Sequence, residues 1–249
     1  MNSWISIGRS EIGLVRTMNQ DAFVTLDRLG FWAVADGMGG HVGGEVAARI
    51  AIATVQAQAA SSTKILREGT RLPTDLLTDM IIKAHDAILQ RAKSESRLNG
   101  MGTTLVLLAV APSPTPTAYV AHVGDSRAYR FRSRTLTPLT RDHTLIEQYL
   151  SRGILTEATA KTHPERHVLT RALGMLSPLK PTVSSFPLEQ DDRILLCSDG
   201  LTKMLDDDQI ESIFSETSSA PTHTCNRLID AALTRGGEDN VTVIVVTPS

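Results

Sequence analysis

Five short apolar runs constrain this chain most: FWAVA at 31–35, TTLVLLAVA at 103–111, AYVAHV at 118–123, RILLC at 193–197 and VTVIVV at 241–246. Each is bounded by Gly, Pro, Asp or Ser, so each reads as a strand, and the near-continuous ones as strands buried on both faces. Aspartates stand at their ends. Asp36 closes FWAVAD, Asp199 closes RILLCSD, Asp125 follows YVAHVG, and Asp239 precedes VTVIVV in GGEDNVTV. A fifth, Asp21, opens DAFVTL, and Gly37, Gly124 and Gly200 adjoin three of the others.

Any one Asp-Gly at a strand end is ordinarily a turn, since Asp bonds its own backbone and Gly accepts positive φ. Recurrence at the mouths of buried strands adds a second reading. If those ends converge, carboxylates face one another, and a divalent cation relieves their repulsion. Oxygen donors without Cys or paired His suit Mg²⁺ or Mn²⁺ rather than zinc. The residues leave both readings open: a set of turns, or a metal site.

The remaining segments sketch a sheet-based core with helices on it. WISIG and DAFVTL add early strands, and GGEVAARIAIATVQAQAA carries Val46, Ile50, Ala53 and Ala57 at helical spacing. A second helix is expected at about 74–97, with Leu77, Met80, Ile81, Ala84 and Ile88 on one face and Thr74 as N-cap. The polar SSTKILREGTRLP between them reads as a loop. Residues 140–180 read as an excursion of two short helices rich in His and Arg. Helices at 206–215 and about 220–235 precede the last strand. Strands outnumber helices, and the long helices fall in pairs. The expected class is therefore α+β, a sheet-on-sheet core covered by helices rather than strict βαβ alternation. Residues 1–249 are read as one domain.

Composition is that of an ordinary water-soluble chain, with 41% hydrophobic and 21% charged residues. A formal net charge of −2 gives no general argument for nucleic acid or an anionic membrane as partner. Cys197 and Cys225 form no disulfide framework and lack metal-site spacing, and no apolar stretch reaches the ~20 residues of a membrane helix. MNSWISIGRSEIG has no basic segment followed by an apolar one, so a cytoplasmic location is expected. There is no phosphate-loop motif, no G-x-S-x-G elbow around Ser126 or Ser198, and no dinucleotide fingerprint in GMGGHVGG.

Two further residues have suitable chemistry. Arg16, a few residues before Asp21, could grip a phosphate with its two-pronged guanidinium. His41, across a flexible MGG segment from Asp36, could protonate a leaving oxygen near neutral pH.

Taken in order, RTMNQD, VADGMGGHVGGEVAA, MGTTLV, HVGDSRAYR, CSDGL and GGEDNVTV resemble the metal-dependent protein phosphatases (PPM family, type 2C), closest to their compact bacterial and cyanobacterial members. The likeness runs from about residue 5 to 247 and implies the family's α+β fold, a central β-sandwich of two antiparallel sheets flanked by pairs of helices, with a small flap. It implies hydrolysis of phosphoserine and phosphothreonine on proteins by a water held between metal ions, without a covalent phosphoenzyme. Two or three Mn²⁺ or Mg²⁺ ions are implied as cofactors. Asp36 would bridge two ions, Gly37 would ligate through its carbonyl, and Asp199 and Asp239 would complete the first ion's shell. Asp21 would act on the second ion through water, and Asp125, with Asp199, would bind a third. Arg16 would hold the phosphate, Asn240 neighbours the last ligand, and His41 is the candidate general acid. Gln20 and Met38 depart from some eukaryotic members, which carry Glu and His there. The 140–180 segment corresponds to the family's flap, where His143, His163 and His167 are expected to serve structure rather than ligation.

Phosphorylated protein substrates and a cognate serine/threonine kinase in bacterial signalling are the expected partners, with no nucleic acid, no membrane and a monomeric chain. The alternatives are a phosphatase of a small phosphorylated metabolite, or an inactive regulatory module binding a partner through the flap.

Overall fold

The structure, a computed structural model, describes residues 4–38, 43–111, 116–160, 162–175, 178–217 and 220–249. Its elements run β1 (Trp4–Glu11), β2 (Asp21–Leu26), β3 (Phe31–Met38), α1 (Gly43–Glu68), α2 (Pro73–Ser94), β4 (Gly102–Thr103), β5 (Leu105–Ala111), β6 (Thr117–Val123), β7 (Arg127–Arg132) and β8 (Thr135–Pro138). They continue with α3 (Leu145–Ser151), α4 (Glu157–Ala160), β9 (Thr182–Pro187), β10 (Arg193–Cys197), α5 (Asp199–Thr202), α6 (Asp207–Glu216), α7 (Pro221–Thr234) and β11 (Val241–Pro248). One antiparallel sheet has the order β1-β11-β10-β7-β8 and the other β2-β3-β5-β6-β9, with β4 pairing β3.

Strand alternation builds the layers. Along β3, Phe31, Ala33 and Ala35 pack under α1 and α2, while Trp32 and Val34 turn toward the other sheet. Along β11, Val241, Val243 and Val245 meet α6 and α7, while Ile244 and Val246 join Trp32 between the sheets. The result is helices, sheet, sheet, helices, which is the expected sandwich.

Two local expectations are corrected. SSTKILRE is helical, not a loop, because α1 runs to Glu68. Its polar residues still supply a buried face: Ala59, Ser62, Thr63 and Leu66 follow helical spacing, and Thr63 Oγ1 donates to Ala59 O and Leu29 O at 2.8 Å each. Thr74 is not the cap of α2. The helix begins one residue earlier at Pro73, with Leu72 in the cap position and no side-chain cap bond. Proline at the first helical position is already set in φ and has no N–H to satisfy.

Candidate metal centre

The acidic end of the sandwich is assembled by register. Asp21 at the start of β2 lies directly opposite Asp36 near the end of β3. Asp36 has the parity of Trp32 and Val34, so it continues the face that meets the other sheet. Its backbone is fixed from β5's approach: Thr104 Oγ1 accepts from Asp36 N at 3.1 Å, and Asp36 O accepts from Thr104 N and Thr103 Oγ1 at 2.9 Å each.

Asp21 joins the two sheets. One carboxylate oxygen, Oδ2, accepts from Ser198 Oγ at 2.7 Å and from Thr242 Oγ1 at 2.6 Å. Ser198 stands in the N-cap position of α5 with no side-chain cap bond, so the strand RILLC stops at Cys197 and Asp199 begins a helix rather than closing the strand. Two glycines permit this closeness. A Cβ on Gly37 would meet Gly44 O at 2.2 Å, and one on Gly200 would meet Asn240 O at 1.9 Å. Any side chain at either position forces the elements apart.

Asp239 faces Asp199 across Lys203, whose ammonium lies 2.6 Å from Asp199 Oδ2 and 2.8 Å from Asp239 Oδ2. Arg16 forks onto the same carboxylate, with Nε 2.9 Å from Asp239 Oδ1 and Nη2 2.9 Å from Oδ2. Asn240 holds the loop that carries Arg16. Its Nδ2 donates to Ile12 O and Met18 O at 2.9 Å each, and its Oδ1 accepts from Gln20 N at 2.9 Å.

The charges report the convergence that spacing could not. Burial raises the Asp36 carboxyl well above the usual range, and Asp21, Asp199, Asp125 and Asp239 raise it further. Burial likewise lifts Asp21 to about 6 and Asp125 to about 7, each with Asp199 adding to the rise. Asp239 goes the other way: burial would raise it, but Lys203 and Arg16 hold it low.

A cation suits this donor set. Asp21 Oδ1 and Asp199 Oδ1 are buried with no hydrogen-bond partner among the described residues. Such orphaned acceptors cost about 1–3 kcal/mol each. Oxygen donors of high charge favour Mg²⁺ or Mn²⁺. Among the described residues no three His, Cys, Asp or Glu side chains form a ready-made cage. Lys203 and Arg16 occupy oxygens of Asp199 and Asp239 that a metal would need. His41 lies outside the described residues.

The flap begins beside this centre. Arg127 forks onto Asp142 at 2.8 and 2.7 Å, tying the flap's first residues to β7. His143 stacks on His122 with ring centroids 4.4 Å apart, and its Nδ1 accepts from Gly124 N at 3.2 Å. Its Nε2 faces Thr182 Oγ1 at 2.9 Å and Arg171 Nη1 at 3.2 Å. Burial, His122 and Arg171 push His143 down to about 3. Since the unfolded value is about 6.5, the unfolded chain binds the proton more tightly, and this contribution to stability is full above about 6.5 and lost as pH falls toward 3. The stability difference between wild type and His143→Gln, from urea unfolding across that range, should therefore shrink on acidification. A pH-independent difference would contradict the neutral buried ring. His163 packs edge-on against Tyr149, whereas exposed His167 lines the cleft that also holds Asp125, Asp199 and Lys203.

A cleft of about 860 Å³ opens between the flap and α5–α6, lined by Asp125, Thr144, Glu147, Arg166, Asp199 and Lys203 among others. Sequence reasoning missed Lys203, Thr104, Ser198 and Thr242. Only Lys203 left a signal, its spacing of four from Asp199 in DGLTK, which places both on one helical face.

Residues 8–234 match the family model described as Protein phosphatase 2C. The serine/threonine phosphatase stp of Listeria welshimeri is 36% identical over 241 residues, covering 96% of this chain and 93% of that protein. The crystal structure of the Mycobacterium tuberculosis serine/threonine phosphatase PstP/Ppp superposes with a TM-score of 0.87 at 34% identity, covering 98% of each chain. The catalytic domain of PstP in complex with two manganese ions gives 0.85 at 33% identity, over 100% of this chain and 99% of that one. A sandwich with acids at one end, a family match over residues 8–234 and relatives of this similarity lead to one conclusion: the chain belongs to the protein phosphatase 2C family.

Proposed function

We propose that this chain hydrolyses phosphoserine and phosphothreonine on proteins, with divalent cations held by Asp36, the Gly37 carbonyl, Asp199 and Asp239. The observation that carries the reading is the register pair Asp21–Asp36 set against Asp199 and Asp239 from the other sheet. Family membership supports the reaction, and the relative solved with two manganese ions supports Mn²⁺ as a working ion. Asp21 would act on the second ion through water, and Asp125 with Asp199 would serve a third. Bound cations supply an acidified water and neutralise phosphoryl charge.

The chain's own residues do the rest. Ser198 and Thr242 pin Asp21, and Thr104 pins the Asp36 backbone, so the carboxylates keep their places when charge changes. Arg16, half exposed on its loop, can turn its fork from Asp239 to a phosphoryl group. His41 is the proposed proton donor to the leaving alkoxide. The cleft beside the flap gives a polypeptide room to lie against the centre. A cognate serine/threonine kinase, a cytoplasmic setting, a monomeric state and one domain spanning 1–249 with the flap at about 140–180 complete the proposal. No helix among the described residues is long and apolar enough to cross a membrane.

Arg16→Ala should lower kcat/KM for a phosphothreonine peptide by about 10–100-fold, the worth of hydrogen bonds to a charged group. Unchanged kinetics would remove Arg16 from phosphate binding. The reading as a whole is tested by comparing phosphopeptides with phosphorylated metabolites at equal concentration in Mn²⁺. Faster turnover of the peptides is expected. Preference for a metabolite would replace the proposed substrate class.

A further inference from the structure

Lys203 stands between two of the acids, and its connections differ from those of Arg16. Among the described residues Arg16 pairs with Asp239 alone, and it is about half exposed, with 52% of its side-chain surface open. Lys203 bridges Asp199 and Asp239, one oxygen of each, and is only 26% exposed. Its backbone N donates to Asp199 O at 2.8 Å, closing the turn of α5 that returns its side chain to Asp199. Two of the proposed ligands are therefore joined by a tethered positive charge.

We infer that Lys203 is a built-in counter-cation, a positioning residue that holds Asp199 and Asp239 together without metal and competes with a divalent ion for the same carboxylates. The inference rests on the metal reading proposed above. Five acids at one end of a sandwich repel one another, and an ammonium within hydrogen-bond reach of two of them offsets part of that repulsion during folding. The same charge sets a threshold for occupancy, because an arriving ion must displace Lys203 from the oxygens it covers. Asp199 Oδ1, buried and without a partner among the described residues, is the oxygen that Lys203 leaves uncovered. Lys203 thus keeps the centre folded when metal is scarce and weakens its hold on metal.

Calorimetric titration with Mn²⁺ of wild type, Lys203→Met and Lys203→Arg tests this, alongside melting curves with and without Mn²⁺. Lys203→Met should bind Mn²⁺ more tightly by about tenfold or more, since a unit charge is removed at contact distance. Metal-free Lys203→Met should melt below wild type, and Mn²⁺ should close that gap. Lys203→Arg, which keeps the charge, should stay near wild-type affinity. A residue that merely packs would lower stability without raising metal affinity, so equal or weaker binding in Lys203→Met overturns the inference. Recovery of folded Lys203→Met only in Mn²⁺ supports it. Failure of both Lys203→Met and Lys203→Gln to fold in Mn²⁺ overturns it. Absence of Mn²⁺ uptake by wild type would overturn the metal reading itself, and is distinguishable from the first outcome.

Discussion

Asp36→Asn should abolish phosphopeptide hydrolysis, by about 10³-fold or more, and at the same time raise the melting temperature of the metal-free protein. The two effects have one cause. The Asp36 carboxyl is pushed well above its usual range by burial and by four neighbouring aspartates, so its ionised form is unfavourable in the folded state. The sign follows: a raised folded pKa means that ionisation destabilises the fold at neutral pH, and the amide removes that charge. In a chain of this size each kcal/mol relieved is worth about 2–4 °C. The amide also removes the anionic oxygen that metals require, so function falls as stability rises. Melting curves in chelator and rates in Mn²⁺ measure both. A variant that is inactive and also less stable without metal would show that Asp36 is a structural residue.

Trp32→Ala has the largest expected cost to stability, about 3–5 kcal/mol for truncating a buried aromatic. Trp32 is fully buried between the sheets among Val106, Leu108, Ile194 and Ile244, and its indole N–H donates to Asp27 Oδ1 at 2.7 Å. Truncation opens a cavity in the layer that presses β3 against β10 and β11, and it leaves Asp27 without one of its donors. Since Asp36 lies four residues along the same strand, the loss should also weaken Mn²⁺ binding below the melting point. Denaturant unfolding gives the stability change. A midpoint close to wild type would show that the two sheets do not depend on this side chain for their packing.

The sandwich was legible because alternation and aspartates at strand ends survive in the linear pattern. FWAVAD and RILLCSD pointed to the right end of the molecule. The length of α1 was not legible, because Ser62 and Thr63 look like loop residues until Leu29 O and Ala59 O are found to accept from Thr63. The pairing of Asp21 with Asp36 is a matter of register, which a tight turn between β2 and β3 sets and spacing does not state. Ser198 and Thr242 reach Asp21 across 177 and 221 residues of sequence, so nothing local could have named them. Lys203 was legible in principle, one helical turn after Asp199, but its second contact, to Asp239, spans 36 residues and has no local signal.

The most direct measurement is a Mn²⁺ titration in which uptake and phosphopeptide hydrolysis are followed together, for wild type, Asp36→Asn and Asp239→Asn, with a chelator as the zero point. Aspartates from both sheets holding the working ions require that uptake and rate saturate together in wild type, vanish in chelator, and fail in both variants. Full hydrolysis in chelator, or in Asp36→Asn, would contradict that account.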